Sequence, residues 1–239
     1  MKTKILIVIL FLFGSGKLYS QEDLETHNAF IGISLGPSMP VGDFASKDID
    51  NQSAGFASSG AIFDINFTYN ISRNWGFTAS LRGQSNPFDE NAFENELENE
   101  NPGTLWTIHS EQWSIGGLLI GAVRGIPISE DSRVEIRAMF GFLRATLPNV
   151  EWTGRQGLIE LSGKTYSASA SAFTGLIGVG YRYNITSMLA LTVNADYLGA
   201  QPEFRDVKTA TNYNTVRRET FRQKFGSINF GVGLGFLFD

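Results

Sequence analysis

Large apolar positions alternate with small or polar ones through most of the chain. In "AFIGISLG", Ala29, Ile31, Ile33 and Leu35 fall on one side, and Phe30, Gly32, Ser34 and Gly36 on the other. "GAIFDINFTYN" sets Ala61, Phe63, Ile65, Phe67 and Tyr69 against Ile62, Asp64, Asn66 and Thr68. "WGFTASLRG", "VEIRAMFGF", "SAFTGLIGVGYRY", "LALTVNADYL" and the closing "INFGVGLGFLFD" repeat the pattern. In "WSIGGLLIGAVRG" the apolar face is read as Trp113, Ile115, Leu119 and Val123. A period of two is the mark of a strand with two unlike faces. Eight such segments are present, each of about the 9–11 residues that a tilted strand needs to cross a bilayer.

The connections alternate in length. "NISRN", "IPISEDS" and "NITSM" are short, whereas residues 37–59, 84–112, 145–170 and 199–224 form long connections. Short turns at one end and long loops at the other characterise outer-membrane barrels. The predicted fold is all-β, an eight-stranded antiparallel up-and-down transmembrane barrel.

Alternation alone does not say which face is inside, because a soluble sandwich or a ligand-binding barrel shows the same period. The polar faces argue for the membrane. They carry Asp64, Arg82, Arg124, Glu135, Arg137, Arg182 and Asp196, and a sheet in lipid must turn such groups inward and close on itself. Aromatics also gather at the two expected interfaces: Tyr69, Trp75, Tyr181, Tyr183, Phe236 and Phe238 near the short turns, Trp113 and Tyr197 near the long loops.

Residues 1–20 read as a secretory signal, with basic "MKTK", apolar "ILIVILFLFG" and a polar stretch ending at Ser20. The barrel domain is then residues 21–239. Without Lys2, Lys4 and Lys17, 16 basic residues face 24 acidic ones, a formal charge of −8. No basic stripe exists to neutralise nucleic-acid phosphates. The absence of cysteine removes disulfides, thiolate metal sites and a lipidated cysteine.

Two resemblances add to this reading. The last strand resembles the C-terminal signal of outer-membrane assembly, alternating through Phe230 and Phe236 to the aromatic Phe238, with Asp239 following. "FIGISLGPSMPVGDFAS", with Pro40, Gly42 and Phe44, resembles the opening of the small outer membrane protein β-barrel domain family. "LTVNADYLGAQPEF" resembles that family's seventh strand. The resemblance implies a fold, the bacterial outer membrane and the assembly machinery as a partner; it implies no reaction.

Three candidate sites follow. The interior charges are expected in two layers, Arg124, Glu135, Arg137 and Arg182 near the short turns and Asp64, Arg82 and Asp196 at mid-barrel. They must pair, since a lone buried charge costs several kcal/mol. Asp89, Glu90, Glu94, Glu96, Glu98 and Glu100 supply six carboxylates without a base, either a solvated loop or an oxygen-rich cation site. The fourth long connection holds Arg205, Lys208, Arg217, Arg218, Arg222 and Lys224, able to meet the acidic loop or lipid phosphates. Catalysis has little to draw on, with His27 and His109 the two histidines and no Gly-x-Ser-x-Gly elbow.

The expectation is a monomeric barrel in contact with outer-membrane lipid and lipopolysaccharide, structural or loop-displaying, without cofactor or catalysis. The alternative is a narrow channel, or a conduit for small hydrophobic solutes in the manner of outer membrane protein W-like barrels.

Overall fold

Each alternating segment forms a strand, and each pairs antiparallel with its neighbours. The computed structural model describes residues 28–212 and 215–239; the expected signal segment lies outside them. In chain order the strands are β1 (Ala29–Pro40), β2 (Gly60–Asn70), β3 (Trp75–Pro87), β4 (Leu105–Ser110), β5 (Gln112–Pro127), β6 (Ser132–Leu147) and β7 (Val150–Gln156). They continue as β8 (Ile159–Thr165), β9 (Ala168–Asn184), β10 (Leu189–Ala200), β11 (Glu203–Thr211), β12 (Val216–Arg222) and β13 (Phe225–Phe238). Eight of them close a barrel in the order β1-β13-β10-β9-β6-β5-β3-β2.

Closure comes from β13, the stretch rich in glycine and phenylalanine. It pairs with β10 from Ala200↔Phe225 to Leu189↔Phe236, and with β1 as far as Ala29↔Phe238. No edge is left for water to satisfy, the condition for a sheet in hydrocarbon. The outward side chains are apolar and open: Leu35 is 61% exposed, Phe77 62%, Ile177 62% and Phe236 59%. Inward neighbours such as Asp64, Arg82, Thr192 and Asn194 are buried. On β9 the outward belt runs from Phe173 to Tyr183, about 25 Å along the axis for a strand tilted by ~40°.

The three short turns share one design. The N–H groups of Ile71 and Ser72 both donate to the Trp75 carbonyl, those of Ile128 and Ser129 to Ser132, and those of Ile185 and Thr186 to Leu189. Hydroxyls tighten them further: Ser72 Oγ accepts from Trp75 N at 3.2 Å, and Thr186 Oγ1 from Leu189 N at 3.0 Å. Such local side-chain bonds are why Ser and Thr favour turns.

The other end departs from expectation. Most of the long connections are ordered extensions of the wall, and the barrel strands run to 17 residues in β9. β12, β11, β8, β7 and β4 form a second, five-stranded sheet in that order. Residues 89–100, expected as a loop, contain a helix, α1 (Glu90–Glu100). Its glutamates repel at i,i+4 and crowd the negative C-terminal end, so its own sequence favours it little. External contacts hold it. Asp89 caps it by accepting from Ala92 N at 3.1 Å, Glu90 accepts from Ser110 N at 2.5 Å, and Phe93 packs edge-on to Phe56 and Phe88.

One strand reads inside out. Trp113, Ile115, Leu119 and Val123 of β5 point into the barrel and are buried, while Leu118 and Ile120 face outward at 60% and 53% exposure. Both faces of β5 are apolar, so alternation did not distinguish them. The upper bore is apolar, and that demands an apolar inner face.

Candidate functional site

The bore is filled at three levels. At mid-barrel Arg82 on β3 pairs with Asp64 on the adjacent β2 at 3.1 Å and reaches Asp196 on β10 at 2.7 Å. Arg137 on β6 grips the same Asp196 with two bonds of 2.9 and 2.7 Å. Ser80 donates to Asp64. Two arginines thus neutralise two aspartates across the lumen, with the bidentate geometry that a guanidinium offers a carboxylate. Gly178 makes the room, because a Cβ there would overlap the Asp196 carboxylate.

Towards the short turns lies a second layer. Arg182 approaches Glu135 to 2.7 Å and lies 3.8 Å over the centre of the Phe30 ring. Arg133, which the sequence reading omitted, joins Glu135 at 3.5 Å. Its signal was present in the alternation: residues 133, 135 and 137 share a face.

Above the charges the bore changes character. Gln84, Asn86, Ser38, Ser227 and Asn229 form an amide and hydroxyl network along β1, β3 and β13. Opposite them stand Ile115, Leu119, Leu143 and Leu198, all buried. Four aromatics close the top. Phe44 lies 4.4 Å from Phe225, Trp113 meets Phe225 edge-on at 5.3 Å, and Phe204 lies 6.2 Å from Trp113. The Trp113 indole donates to the Gly55 carbonyl at 2.8 Å. A void of about 10 Å³ remains beside Arg82, room for one water at most.

Beyond this cap the molecule opens. One face of the five-stranded sheet, together with α1 and residues 45–57, encloses a cleft of about 680 Å³. Phe56, Phe88 and Phe93 pack together to form one wall, with ring centres 5.1 to 5.6 Å apart. Trp152, Val207 and Phe221 line the sheet side. Asn51, Gln52, Thr165, Thr209, Glu219 and Gln223 add polar groups, and no Lys or Arg is among the lining residues. By strand alternation the opposite sheet face carries Lys164, Lys208 and Arg218. Lys208 and Arg218 are direct cross-strand partners, and Lys164 and Lys208 lie 5.3 and 4.7 Å from the Tyr166 ring centre.

No family model matches the sequence, and no curated protein matches it. Solved structures do. A major outer membrane protein from Thermus thermophilus superposes with a TM-score of 0.50 at 10% identity, over 89% of this chain and 100% of that one. Neisserial surface protein A gives 0.46 at 13% identity, over 88% and 97%. Ail, the attachment invasion locus protein of Yersinia pestis, gives 0.45 at 14%, over 87% and 99%. The chain has the fold of the small outer-membrane β-barrels.

Within that barrel type the remaining candidates fall as follows. Phe230, Phe236 and Phe238 all point outward from the closing strand, and Phe238 lies 6.4 Å from Phe67. Arg124 is misplaced in the sequence reading. It sits on the outer face of β5, 5.5 Å over the Trp75 ring, because β5 is turned the other way. Arg137 also belongs to the mid-barrel layer with Asp196 rather than to the lower one.

The acidic segment does not converge as a cation cage. Among the described residues no group of three or more His, Cys, Asp or Glu side chains could hold a metal ion. The helix separates the carboxylates, and several are already engaged. Asp89 pairs with Lys47 at 3.0 Å, Glu90 holds Ser110, and Glu96 accepts from Ile49 N at 3.4 Å. Burial would raise the Asp89 carboxyl, but the Ala92 N–H and Lys47 outweigh it and hold the group below its usual value. The basic residues of the fourth connection do not meet α1 either: Arg205 and Arg222 share Glu203 at 2.8 Å each, and Lys224 pairs with Asp43 at 2.8 Å.

A concavity of about 960 Å³ lies on the apolar belt and includes Phe77, Ala122, Ala138 and Ile177. In a bilayer, acyl chains fill such a dent. The cleft at the long-connection end is open to water and has mixed chemistry.

Proposed function

We propose that this protein is a sealed outer-membrane anchor that presents a folded recognition surface to the outside, and that it performs no catalysis. One observation carries the reading. The bore is packed from Arg182 to Trp113, whereas the structure beyond it encloses an open cleft. A barrel of eight strands is just wide enough for its side chains to fill, and here they do. Outward Arg144, two residues above Phe142 on the same face of β6, is placed for lipopolysaccharide phosphates, which arginine binds well. Phe238 and its outward neighbours are the part that the assembly machinery would read.

Planar-bilayer conductance of refolded residues 21–239 tests the reading, with heat-shifted gel mobility as proof of folding. A folded, silent barrel is expected. Steady, salt-dependent channels would overturn it.

The second reading, a conduit for hydrophobic solutes, draws on apolar Ile115, Leu119, Leu143 and Leu198 in the upper bore. It requires the Trp113–Phe225 cap to move. Uptake of an apolar dye into liposomes, accelerated by the intact protein, would favour it.

A further inference from the structure

The long-connection end presents two sheet faces of opposite chemistry, and the inner one is built as a platform. On β7, Trp152 pairs directly with Gly163 of β8. A Cβ at Gly163 would overlap the Trp152 indole, so the ring lies flat across the neighbouring strand where any other residue would push it up. Trp106 rests on Gly154 in the same way. A flat, half-buried indole offers an apolar face to whatever enters the cleft. Phe56 and Phe93 form the facing wall.

Around this platform sit groups with hydrogen-bonding capacity to spare. The side chains of Gln52 and Glu219 line the cleft, are exposed, and have no partner among the described residues. Amides and hydroxyls donate and accept, and a carboxylate accepts. A purely apolar ligand would leave these groups dry and unpaired, at a cost. An anionic ligand would meet Glu219 and no Lys or Arg among the lining residues, while Lys164, Lys208 and Arg218 occupy the other face.

We propose that this cleft binds a neutral saccharide. A pyranose ring has an apolar C–H face that stacks on an indole and a rim of hydroxyls that need both donors and acceptors. The volume falls within the ~300–1,000 Å³ of small-ligand sites and suits a short oligosaccharide. The inference rests on reading the outer end as a recognition surface, and it names the ligand class of that surface.

The test is a panel of neutral and acidic oligosaccharides offered to the refolded full-length mature chain, with indole fluorescence titration of the members that bind. Neutral members are expected to bind. Trp152→Ala is expected to weaken them about threefold to tenfold, as losing an aromatic stack does. Gly163→Val should weaken them too, by displacing the indole without removing a polar group. Lys208→Ala with Arg218→Ala, on the opposite face, should leave neutral binding unchanged. Gel mobility confirms that each variant is folded. Binding confined to acidic members and lost with Lys208 and Arg218, or no binding by the folded wild type, overturns the saccharide assignment. A folded, non-conducting barrel that fails this panel still stands as a display protein, whereas conductance would sink the display reading itself.

Discussion

The bore and the cleft are built from similar residue types and come out as opposites. In the bore every carboxylate meets an arginine: Asp64 and Asp196 are held by Arg82 and Arg137, and Glu135 by Arg182. In the cleft Glu219 and Gln52 have no partner among the described residues. Aromatics plug the bore, where Phe44, Trp113 and Phe225 pack on one another. In the cleft they stand apart as facing walls. The difference is one of solvent. A charge enclosed by a barrel has no water to fall back on, so it must be paired at folding. A polar group at a rim keeps its hydration until a ligand replaces it. Charges paired inside the barrel therefore mark what holds the molecule together, and unpartnered groups at the rim mark where it can still bind.

The comparison is most easily broken in the bore. Arg82→Met strands Asp64, and leaves Asp196 with Arg137 alone. Removing one partner of a buried pair costs about 3–5 kcal/mol. Urea unfolding in lipid should register that loss, and Asp64→Asn in the same chain should recover part of it. A loss below about 1 kcal/mol would mean that the lumen is wet and the charges are not enclosed.

The seal itself has two parts that can be separated. Trp113→Ala removes the largest fully buried side chain and should cost about 3–5 kcal/mol, the range for deleting a core aromatic. It should nevertheless leave a planar bilayer silent, because the Arg82–Asp196–Arg137 layer still crosses the lumen. Conductance in this single variant would show that the aromatic cap is the sole barrier, and would move the protein towards the transport reading.

How much of this was legible in the sequence follows from the same contrast. The barrel was legible because bilayer and lumen impose opposite demands on alternate residues, and seven of the eight spanning segments obey them. β5 was misread because its lumen-facing partners are Leu143, Leu198 and Phe225 rather than charges, so both faces are apolar and Arg124 was placed inside. The charge pairs were half legible: alternation gives the face of Asp196, but its contact with Arg82, 114 positions away, depends on barrel stagger. The cleft was not legible. Its walls come from residues 49–56, 88–93, 147–165 and 207–223, brought together by tertiary packing. α1 was hidden for a related reason, since a run of glutamates with poor helical electrostatics becomes a helix only where Ser110, Ile49 and Phe56 hold it.

That dependence makes α1 the next test. Asp89→Ala removes its cap and its tie to Lys47, with an expected cost of about 0.5–2 kcal/mol, local to the helix. Hydrogen exchange should rise at residues 90–100 and stay unchanged in β9. A matching rise in the barrel would mean that the outer structure and the bore fold as one unit, and the contrast between them would lose its meaning.

The smallest effect is a matter of pH at the β11–β12 hairpin. Glu203 accepts from Arg205 and Arg222, and these two bonds, the Arg205 one foremost, hold its carboxyl below the usual range. A carboxyl whose value is depressed by folding stabilises the folded form above its unfolded value, about 4.3. That contribution disappears as pH falls through the lower, folded value. The group is open to solvent, so screening keeps the effect small and local. Protection factors for residues 203–207 and 219–222 should hold from pH 7 to about 5 and decline below about 4, with salt reducing the change. In Glu203→Gln the decline should vanish, because the amide has no proton to take up in this range. Persistence of the decline in that variant would assign it to another carboxyl. Asp43 is the one to examine, because Lys224 leads directly from β12 into β13 and ties the hairpin to the first connection through that residue.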